Sequence, residues 1–305
     1  MLVAKPWFAN RAIIGRSREV AGVLTRHGLG SVVDQAGLRR FAPLRIRGRT
    51  GTAPHKRAEH LRLALGELGV RFIKLGQTLS TRADLIPVDV ADELSKLQDA
   101  APRVPIEEIR RLIREDLGAE PEVAFERFDT EPIASASIGQ VHAARRHDGR
   151  EVVVKVRRPN VEEQVDVDLQ ILTGVADWAQ VNTAIGRNYD LRPLVDEFAY
   201  TILNELDYIR EGENADRFRR ALGNDGRVRI PSIHWDRTTH RVLTMERVTG
   251  IKISDLESLD RAGISRRQVA ANAVAIFLRE LLEMGVFHAD PHPGNFFVQP
   301  DGTLE

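Results

Sequence analysis

The stretch His288-Ala-Asp290-Pro-His292-Pro-Gly-Asn295 constrains this chain most, because it places an acid and an amide five residues apart in a turn-rich segment. An H-x-D sequence followed by Asn at that spacing is typical of a loop for phosphoryl transfer, in which the carboxylate orients the attacking hydroxyl and the amide oxygen helps to bind Mg²⁺. Asp290 and Asn295 are the candidates for these roles. Two other interpretations stay open: a polar turn, or a metal site of His288, Asp290 and His292.

A valine-rich stretch well upstream has the form of a β-strand with a lysine near its end, Glu151-Val-Val-Val154-Lys155-Val-Arg157. Protein kinases have the similar pattern V-A-I-K, whose lysine binds the α and β phosphates of ATP. A lone lysine after valines is more often an exposed strand residue. The assignment of Lys155 to the phosphate site therefore depends on its position upstream of Asp290. Together the two motifs indicate a kinase-like chain.

A loop of small residues precedes the lysine strand, at the position where kinases have a glycine-rich loop. Small side chains let backbone N–H groups approach a phosphate. Because Ala and Ser adopt positive φ less readily than Gly, we expect this loop to be tighter and less mobile. Asp148-Gly149 predicts a hairpin turn before the lysine strand. The residues predicted to bind the nucleotide here are Ala134, Ser135, Ala136, Ser137, Ile138, Gly139, Gln140 and Val141.

Five ordered motifs lie between residues 70 and 298: Phe72-Ile-Lys74-Leu-Gly76-Gln77, Ala134-Ser-Ala-Ser-Ile-Gly-Gln-Val-His142, Val153-Val-Lys155, Glu205-Leu-Asp207-Tyr-Ile-Arg-Glu211-Gly-Glu-Asn214, and His288 to Asn295. Together they resemble the ABC1/ADCK/UbiB (AarF) atypical kinase-like family. The first, a K-x-G-Q signature, separates that family from ordinary protein kinases. Gly69-Val70 departs from the Gly-Pro of many members.

The resemblance implies a role for each of four charged residues. Lys155 would contact the ATP phosphates, Glu211 would be its partner on a helix equivalent to kinase αC, and Glu205 and Asp207 would form the family's E-x-D pair. A solvated helix charge is the alternative for each acid, and spacing alone does not decide between Glu211 and Glu205 for the lysine. Helical periodicity predicts one long helix over residues 191–222.

A further helix is predicted over residues 58–82, with an apolar stripe and with Lys74 and Gln77 together on another face. The resemblance implies that it covers the site of a protein substrate and directs Lys74 and Gln77 toward the nucleotide, with Gly76 as the third residue of the regulatory signature. Such a cover argues for a small or lipid-like substrate, or for ATP hydrolysis coupled to another task. An amphipathic helix with a solvated lysine is the simpler interpretation.

An apolar strand followed by a connector at residues 241–250 corresponds to the kinase hinge. The main-chain atoms of Glu246 and Val248 would bind adenine there, although an apolar strand that ends at Gly is common in proteins generally. A helix is predicted over residues 265–284, with Gly285 as its C-cap.

The end of the sequence departs from the kinase pattern, because no D-F-G aspartate follows the catalytic loop. Phe296-Phe-Val298 and the Pro-Asp-Gly that follows predict half of a hairpin whose return strand is missing. We therefore expect a truncated large lobe and impaired Mg·ATP chemistry in this chain.

Charge is distributed unevenly along the 305 residues, whose formal net charge is zero. Zero net charge argues against nucleic acid as a partner, and the absence of cysteine excludes disulfides and cysteine-ligated metals.

Residues 1–60 hold twelve Lys or Arg against three acids. This segment predicts a basic helix on an anionic membrane surface, an organellar transit peptide, or a packed arm. Arg outnumbers Lys by 38 to 6, which indicates a GC-rich bacterial genome and disfavours a transit peptide. No stretch approaches the ~18 apolar residues of a spanning helix.

The predicted fold class is α+β: a protein-kinase-like two-lobed fold with a five-stranded small lobe, a helical N-terminal extension and a truncated C-terminal lobe. The predicted segments are a basic N-terminal segment (1–57), a helical extension with K-x-G-Q (58–120), a kinase-like small lobe (121–248) and the start of the large lobe with the catalytic loop (249–305).

The resemblance implies an ATP-binding atypical kinase or ATPase that uses Mg²⁺ and supports ubiquinone or menaquinone biosynthesis at a membrane. The implied partners are a lipid-like or quinone-pathway substrate, a membrane surface and proteins of quinone biosynthesis. The implied location is peripheral, on the cytoplasmic side of a bacterial membrane. Two other functions stay open: a nucleotide-sensing pseudokinase scaffold and a membrane lipid-binding adaptor.

Overall fold

The computed structural model describes residues 11–42, 54–82, 84, 86–97, 103–136, 138–223, 225–285 and 296–305. The chain divides into two compact units, each made of several segments. Unit 1 comprises Met1–Val104, Ser135–Gln140 and Arg157–Leu206, and unit 2 comprises Pro105–Ala134, Val141–Val156 and Asp207–Glu305. This division does not test the bounds of the four predicted segments.

Helices dominate the described residues, and the strands are concentrated in the middle of the chain. The elements in order are α1 (Arg11–Arg26), α2 (Gly30–Gln35), α3 (Pro54–Leu68), α4 (Val70–Ser80), α5 (Val88–Leu94), α6 (Ile106–Leu117), α7 (Pro121–Ala124), β1 (Arg127–Ser135), β2 (Gly139–Arg145), β3 (Glu151–Arg157), α8 (Val161–Asn182), α9 (Ala184–Asn188), α10 (Arg192–Glu205), α11 (Tyr208–Leu222), β4 (Val242–Glu246), β5 (Ile251–Lys252), α12 (Leu256–Arg261), α13 (Arg266–Arg279), a π-helical turn (Glu280–Met284) and β6 (Phe297–Val298).

Unit 1 is a helical assembly in which α1 packs against α3 and α8. Its main core contains Val20 and Leu24 of α1 together with Leu65 and Phe72. Arg16 of the same helix donates through Nε to Asp168 Oδ1 at 2.8 Å. The apolar face of α1 is thus covered within its own unit, which favours a packed arm for residues 11–26.

The predicted continuous helix over residues 58–82 is wrong, because the chain breaks it at Gly69. This glycine has φ 93° and ψ −177°, a conformation with positive φ that residues other than glycine rarely adopt. The break separates α3 from α4, and α4 packs against both α3 and α5. The K-x-G-Q signature therefore lies on a short helix of its own.

The predicted continuous helix over residues 191–222 is also wrong, because it ends at Glu205 and begins again at Tyr208. Asp207 is extended, with φ −102° and ψ 99°, and its side chain accepts a hydrogen bond from Ile209 N–H. A side-chain acceptor at this position is the usual N-cap of a new helix. Glu205 and Glu211 consequently lie on different helices.

Unit 2 is built on an antiparallel arrangement in which β3 pairs with β4, with Val154 opposite Thr244 and Lys155 opposite Leu243. The described sheet has four strands, in the order β1-β2-β3-β4. The prediction of five strands is wrong for the described residues. Ser232 to His234 lie beside β4, where His234 N–H donates to Thr244 O and Glu246 N–H donates to Ser232 O, both at 2.9 Å. Ser232 N–H donates to the side-chain oxygen Glu246 Oε2 at 3.3 Å, so this segment does not continue the backbone pairing as a fifth strand.

The two predicted turns have different outcomes. The hairpin turn at Asp148-Gly149 is confirmed, since Gly149 has φ 83° and donates its N–H to Arg146 O at 2.9 Å. The prediction that the last hairpin lacks its return strand is wrong. Phe297 and Glu305 exchange two backbone hydrogen bonds of 2.8 Å, so residues 303–305 return along β6.

The predicted helix over residues 265–284 is confirmed as α13 and the π-helical turn that continues it. Ser265 Oγ accepts from Gln268 N–H at the start, and Gly285 ends the helix with φ 61°. Val269 and Ile276 are buried, whereas Phe277 and Leu282 are exposed. Across the part of the chain that the structure describes, no helix is both long and apolar enough to cross a membrane.

Candidate functional site

Lys155 and Glu211 form an ion pair within unit 2. Lys155 Nζ lies 2.8 Å from Glu211 Oε1 and 2.7 Å from Oε2. The lysine comes from β3, whose neighbouring residues Val154 and Val156 are buried in the sheet, while the lysine side chain itself is 26% exposed. The ammonium is therefore fixed in position and still accessible to an anion.

Tyr208 adds a second contact to the same ammonium. Its ring centroid lies 4.7 Å from Lys155 Nζ, within the range of a cation–π interaction. Tyr208 is fully buried at the start of α11, where it packs with Ile233 and Leu243. Because Tyr208 and Glu211 are three residues apart on one helix, a single helical face positions Lys155.

Asp207 of the E-x-D pair caps α11. Its Oδ1 accepts from Ile209 N–H at 3.1 Å and lies 2.8 Å from His240 Nδ1. Burial raises the pKa of Asp207, but the hydrogen bonds from His240 and Ile209 outweigh this effect and leave the pKa below its ordinary value. Asp207 therefore stabilises the helix that carries Glu211.

Glu205, the other member of the pair, contacts the K-x-G-Q signature within unit 1. Glu205 Oε1 lies 2.7 Å from Lys74 Nζ, so two motifs far apart in sequence form one ion pair. Gln77 Nε2 donates to Leu97 O at 3.1 Å. Gly76 lies against Leu65 and Leu97, where any added Cβ would overlap both side chains. The predicted direction of Lys74 and Gln77 toward a nucleotide stays a prediction.

The alanine–serine loop (residues 134–140) is described except for Ser137. Within unit 1, Ala136 N–H donates to Gly139 O at 2.9 Å, which closes a tight turn. Gln140 is 1% exposed, and its side-chain oxygen accepts from Val104 N–H. The loop leads into β2, where Val141 follows Gln140 in the strand.

Arg158 is a residue of this region that the sequence analysis missed. Its Nε donates to Ala136 O and its Nη2 to Ser135 Oγ, each at 3.0 Å, and its backbone N–H donates to Ile138 O at 2.7 Å. Its position just after the lysine strand was the only sequence signal. An arginine there is ordinarily a surface charge.

Glu246 of the predicted hinge makes several hydrogen bonds and an ion pair within the protein. Glu246 ends β4, its N–H donates to Ser232 O at 2.9 Å, and its carboxylate accepts from Ser232 Oγ at 2.8 Å and contacts Arg229. Burial raises the pKa of Glu246, but the hydrogen bonds from Ser232 outweigh burial, so the pKa of Glu246 lies below its ordinary value. Val248 lies in the connector after the strand, and its contact with adenine stays a prediction.

The catalytic-loop residues Asp290 and Asn295 lie outside the described residues, as do His288, His292 and Ser137. Their predicted roles, and the metal-site interpretation of the same segment, stay predictions. Among the residues that the structure describes, no three His, Asp or Glu side chains are grouped so that they could hold a metal ion.

The chain is similar to known proteins along most of its length. A sequence profile of the ABC1 atypical kinase-like domain matches residues 96–305. The chain is similar to Protein ACTIVITY OF BC1 COMPLEX KINASE 7, chloroplastic, of Arabidopsis thaliana, with 44% identity over 247 residues, 81% of this chain and 35% of that protein. It is similar to Probable protein kinase UbiB of Xylella fastidiosa (strain M12), with 39% identity over 290 residues, 94% of this chain and 52% of that protein.

A solved structure, that of an Rv3197–erythromycin complex from Mycobacterium tuberculosis, is also similar. It is 31% identical with a TM-score of 0.58, and the match covers 82% of this chain and 62% of that one. The chain spans only 35% and 52% of the length of the two curated relatives above. The profile nevertheless covers most of the chain, and Lys155 and Glu211, which form the ion pair described above, lie within the matched residues. This chain belongs to the ABC1 atypical kinase-like family and has a kinase-like α+β fold.

Proposed function

We propose that this chain binds ATP and provides the nucleotide-binding part of an atypical kinase or ATPase. The observation that carries the proposal is the pair of Lys155 and Glu211, with Lys155 Nζ 2.7 Å from Glu211 Oε2. A lysine at the end of a sheet strand, held by a helix glutamate, is the arrangement with which kinases bind the α and β phosphates. The partly exposed ammonium fits a phosphate oxygen without a change of strand position.

The proposed roles follow the motifs residue by residue. Lys155 binds phosphate oxygens, and the backbone N–H groups of the alanine–serine loop supply further donors. Asn295 helps to hold Mg²⁺, which neutralises charge on the phosphates when it is bound. Asp290 orients the attacking hydroxyl or water. Main-chain atoms of Glu246 and Val248 bind adenine.

We further propose a small or lipid-like acceptor in isoprenoid quinone biosynthesis, or ATP hydrolysis coupled to that pathway. Membership of a family that includes proteins named UbiB supports this class. The basic excess in residues 1–60 supports electrostatic attraction to an anionic membrane surface, which does not need the packed apolar face of α1. The proposed site is therefore peripheral, on the cytoplasmic face of a bacterial membrane, with proteins of quinone biosynthesis as the expected partners. Nucleic acid is not expected as a partner, because the net charge is zero.

The direct test of nucleotide binding is the dissociation constant for MgATP measured by calorimetry. Lys155→Met should weaken binding by about tenfold or more, since it removes a charge-assisted contact to phosphate. Lys252→Met is the matched control, because Lys252 is an exposed strand lysine of the same unit. Equal MgATP affinity for wild type and Lys155→Met would contradict the proposal.

Turnover separates an enzyme from a nucleotide-sensing scaffold. ADP release by the full-length protein should fall by about a hundredfold or more in Asp290→Asn, the range typical of a lost general base. Equal rates would instead support a scaffold. A lipid adaptor predicts liposome binding that is unchanged by Lys155→Met and reduced by deletion of residues 1–10, which removes Lys5, Trp7 and Phe8 and leaves the core residues of α1 in place.

A further inference from the structure

Arg158 holds the alanine–serine loop at three points. Its guanidinium donates to Ala136 O and Ser135 Oγ, and its own backbone N–H donates to Ile138 O. The three acceptors lie at the entry to the turn that the Ala136–Gly139 hydrogen bond closes and within that turn. One residue thus holds both the entry and the turn of the loop.

The backbone of Arg158 is itself strongly constrained. Pro159 follows it and has a fixed φ. Asn160 is then in the left-handed region at φ 55°, and it is the one non-glycine residue with positive φ among those described. Such conformations cost of order 1 kcal/mol or more and persist only where the surroundings hold them. The turn from β3 into α8 therefore presents Arg158 to the loop from a rigid base.

The contacts also bring charge to the loop. An arginine is always protonated in proteins, and its planar guanidinium can donate to several acceptors at once. The described loop residues carry no ionisable side chain. The loop's carbonyl oxygens at Ala136 and Ile138, which would repel a phosphate, are instead occupied by donors from Arg158.

We propose that Arg158 is a positioning residue for the nucleotide, which holds the alanine–serine loop closed before ATP arrives. This inference rests on the proposed nucleotide binding. A glycine-rich loop must be ordered by its ligand, and the ordering entropy weakens the affinity. A loop that Arg158 already holds would bind the phosphates without the entropy cost of ordering. This advantage would offset the lower conformational freedom of Ala and Ser compared with Gly.

Hydrogen exchange of the full-length protein gives the test, because it reports loop opening with and without ATP. In the wild type, the Ala136 amide, which donates to Gly139 O, should be protected without nucleotide, and MgATP should add little to its protection. In Arg158→Gln the exchange of this amide without nucleotide should be about tenfold faster or more, and MgATP should restore much of the protection. Arg192→Gln, at an exposed pair with Asp177, should behave like the wild type.

Affinity provides the second readout, with adenosine as the probe that has no phosphates. Arg158→Gln should weaken MgATP binding by about tenfold and leave adenosine binding unchanged, and Arg158→Lys should recover part of the loss. Unchanged loop exchange in Arg158→Gln, or an equal loss for adenosine and ATP, would overturn the inference. If the wild type does not bind ATP, the proposed function fails, yet exchange without nucleotide still decides whether Arg158 holds the loop.

Discussion

At the scale of single residues, the structure distributes the acids of the E-x-D region among three different tasks. Glu211 holds Lys155, Glu205 pairs with Lys74, and Asp207 caps α11. Spacing along one helix could not have separated these roles, because the partners Lys74 and Lys155 come from distant segments. The order of the family's motifs did predict Glu211 as the partner of Lys155, because that order reflects a fold in which β3 lies beside α11.

Glu211→Gln should weaken MgATP binding by about tenfold, because the amide no longer holds the ammonium with a charge-assisted hydrogen bond. Glu213→Gln is the matched control, since Glu213 is exposed on the same helix. Calorimetric titration with MgATP checks both variants. An unchanged affinity in Glu211→Gln would show that the pair does not contribute to the site.

At the scale of elements, the strands and the hairpin turn were predictable because valine runs and Asp-Gly are strong local signals. The two helix breaks were not predicted, although Gly69 and Asp207 carry the residue types that cause them. The apolar residues keep helical spacing across both positions, so periodicity alone predicts a continuous helix in each case. No helix is predicted for the segment that forms α8, and the contacts of Arg158 depend on a tertiary turn that no local pattern encodes.

Gly76 allows α4 to pack closely on its neighbours, and Gly76→Ala should therefore destabilise the protein by about 1–3 kcal/mol. An added Cβ would lie 2.9 Å from Leu65 Cδ1 and still closer to Leu97. Urea unfolding at pH 7 provides the measurement.

Gly66 in α3 is the matched control for this substitution. Nothing lies within 4 Å of an added Cβ there, so Gly66→Ala should stabilise the protein by about 0.5–1 kcal/mol through helix propensity. Equal effects of the two substitutions would contradict the close packing at the K-x-G-Q signature.

At the scale of the whole molecule, one buried carboxylate connects several segments of a unit. In unit 2, Asp225 accepts from Arg227 Nε at 2.8 Å and from Arg279 Nη1 at 2.8 Å, and its side chain is 5% exposed. Arg279 also donates to Leu222 O at 3.4 Å. This network ties the end of α11 to α13, so the helix that carries Glu211 is anchored at both ends.

The hydrogen bond from Arg227, with others from its N–H and from Arg279, holds the pKa of Asp225 well below its ordinary value. Because the folded pKa lies below the unfolded one, the stabilisation is fully present above about pH 4 and is lost as the pH falls further. Asp225→Asn should cost about 1–3 kcal/mol at pH 7.

The difference in stability between wild type and Asp225→Asn should shrink as the pH falls from about 4 to about 2.5. Urea unfolding across this range measures the difference. Asp260→Asn, at an exposed ion pair with Arg266, should change stability by less than about 0.5 kcal/mol at pH 7. A constant gap for Asp225→Asn at every pH would contradict the ionised network.

The most direct test of the central claim uses an ATP derivative with an acyl group on its γ-phosphate. A lysine amine beside the bound phosphates attacks the acyl carbon, forms an amide, loses a proton and releases ATP. The chain has six lysines, so mass spectrometry can assign the modified residue without ambiguity. We expect acylation of Lys155 that excess MgATP prevents, and acylation of Lys74 as well if the K-x-G-Q helix faces the nucleotide. Modification that spares Lys155, or that MgATP does not reduce, would contradict the claim that this lysine binds a triphosphate.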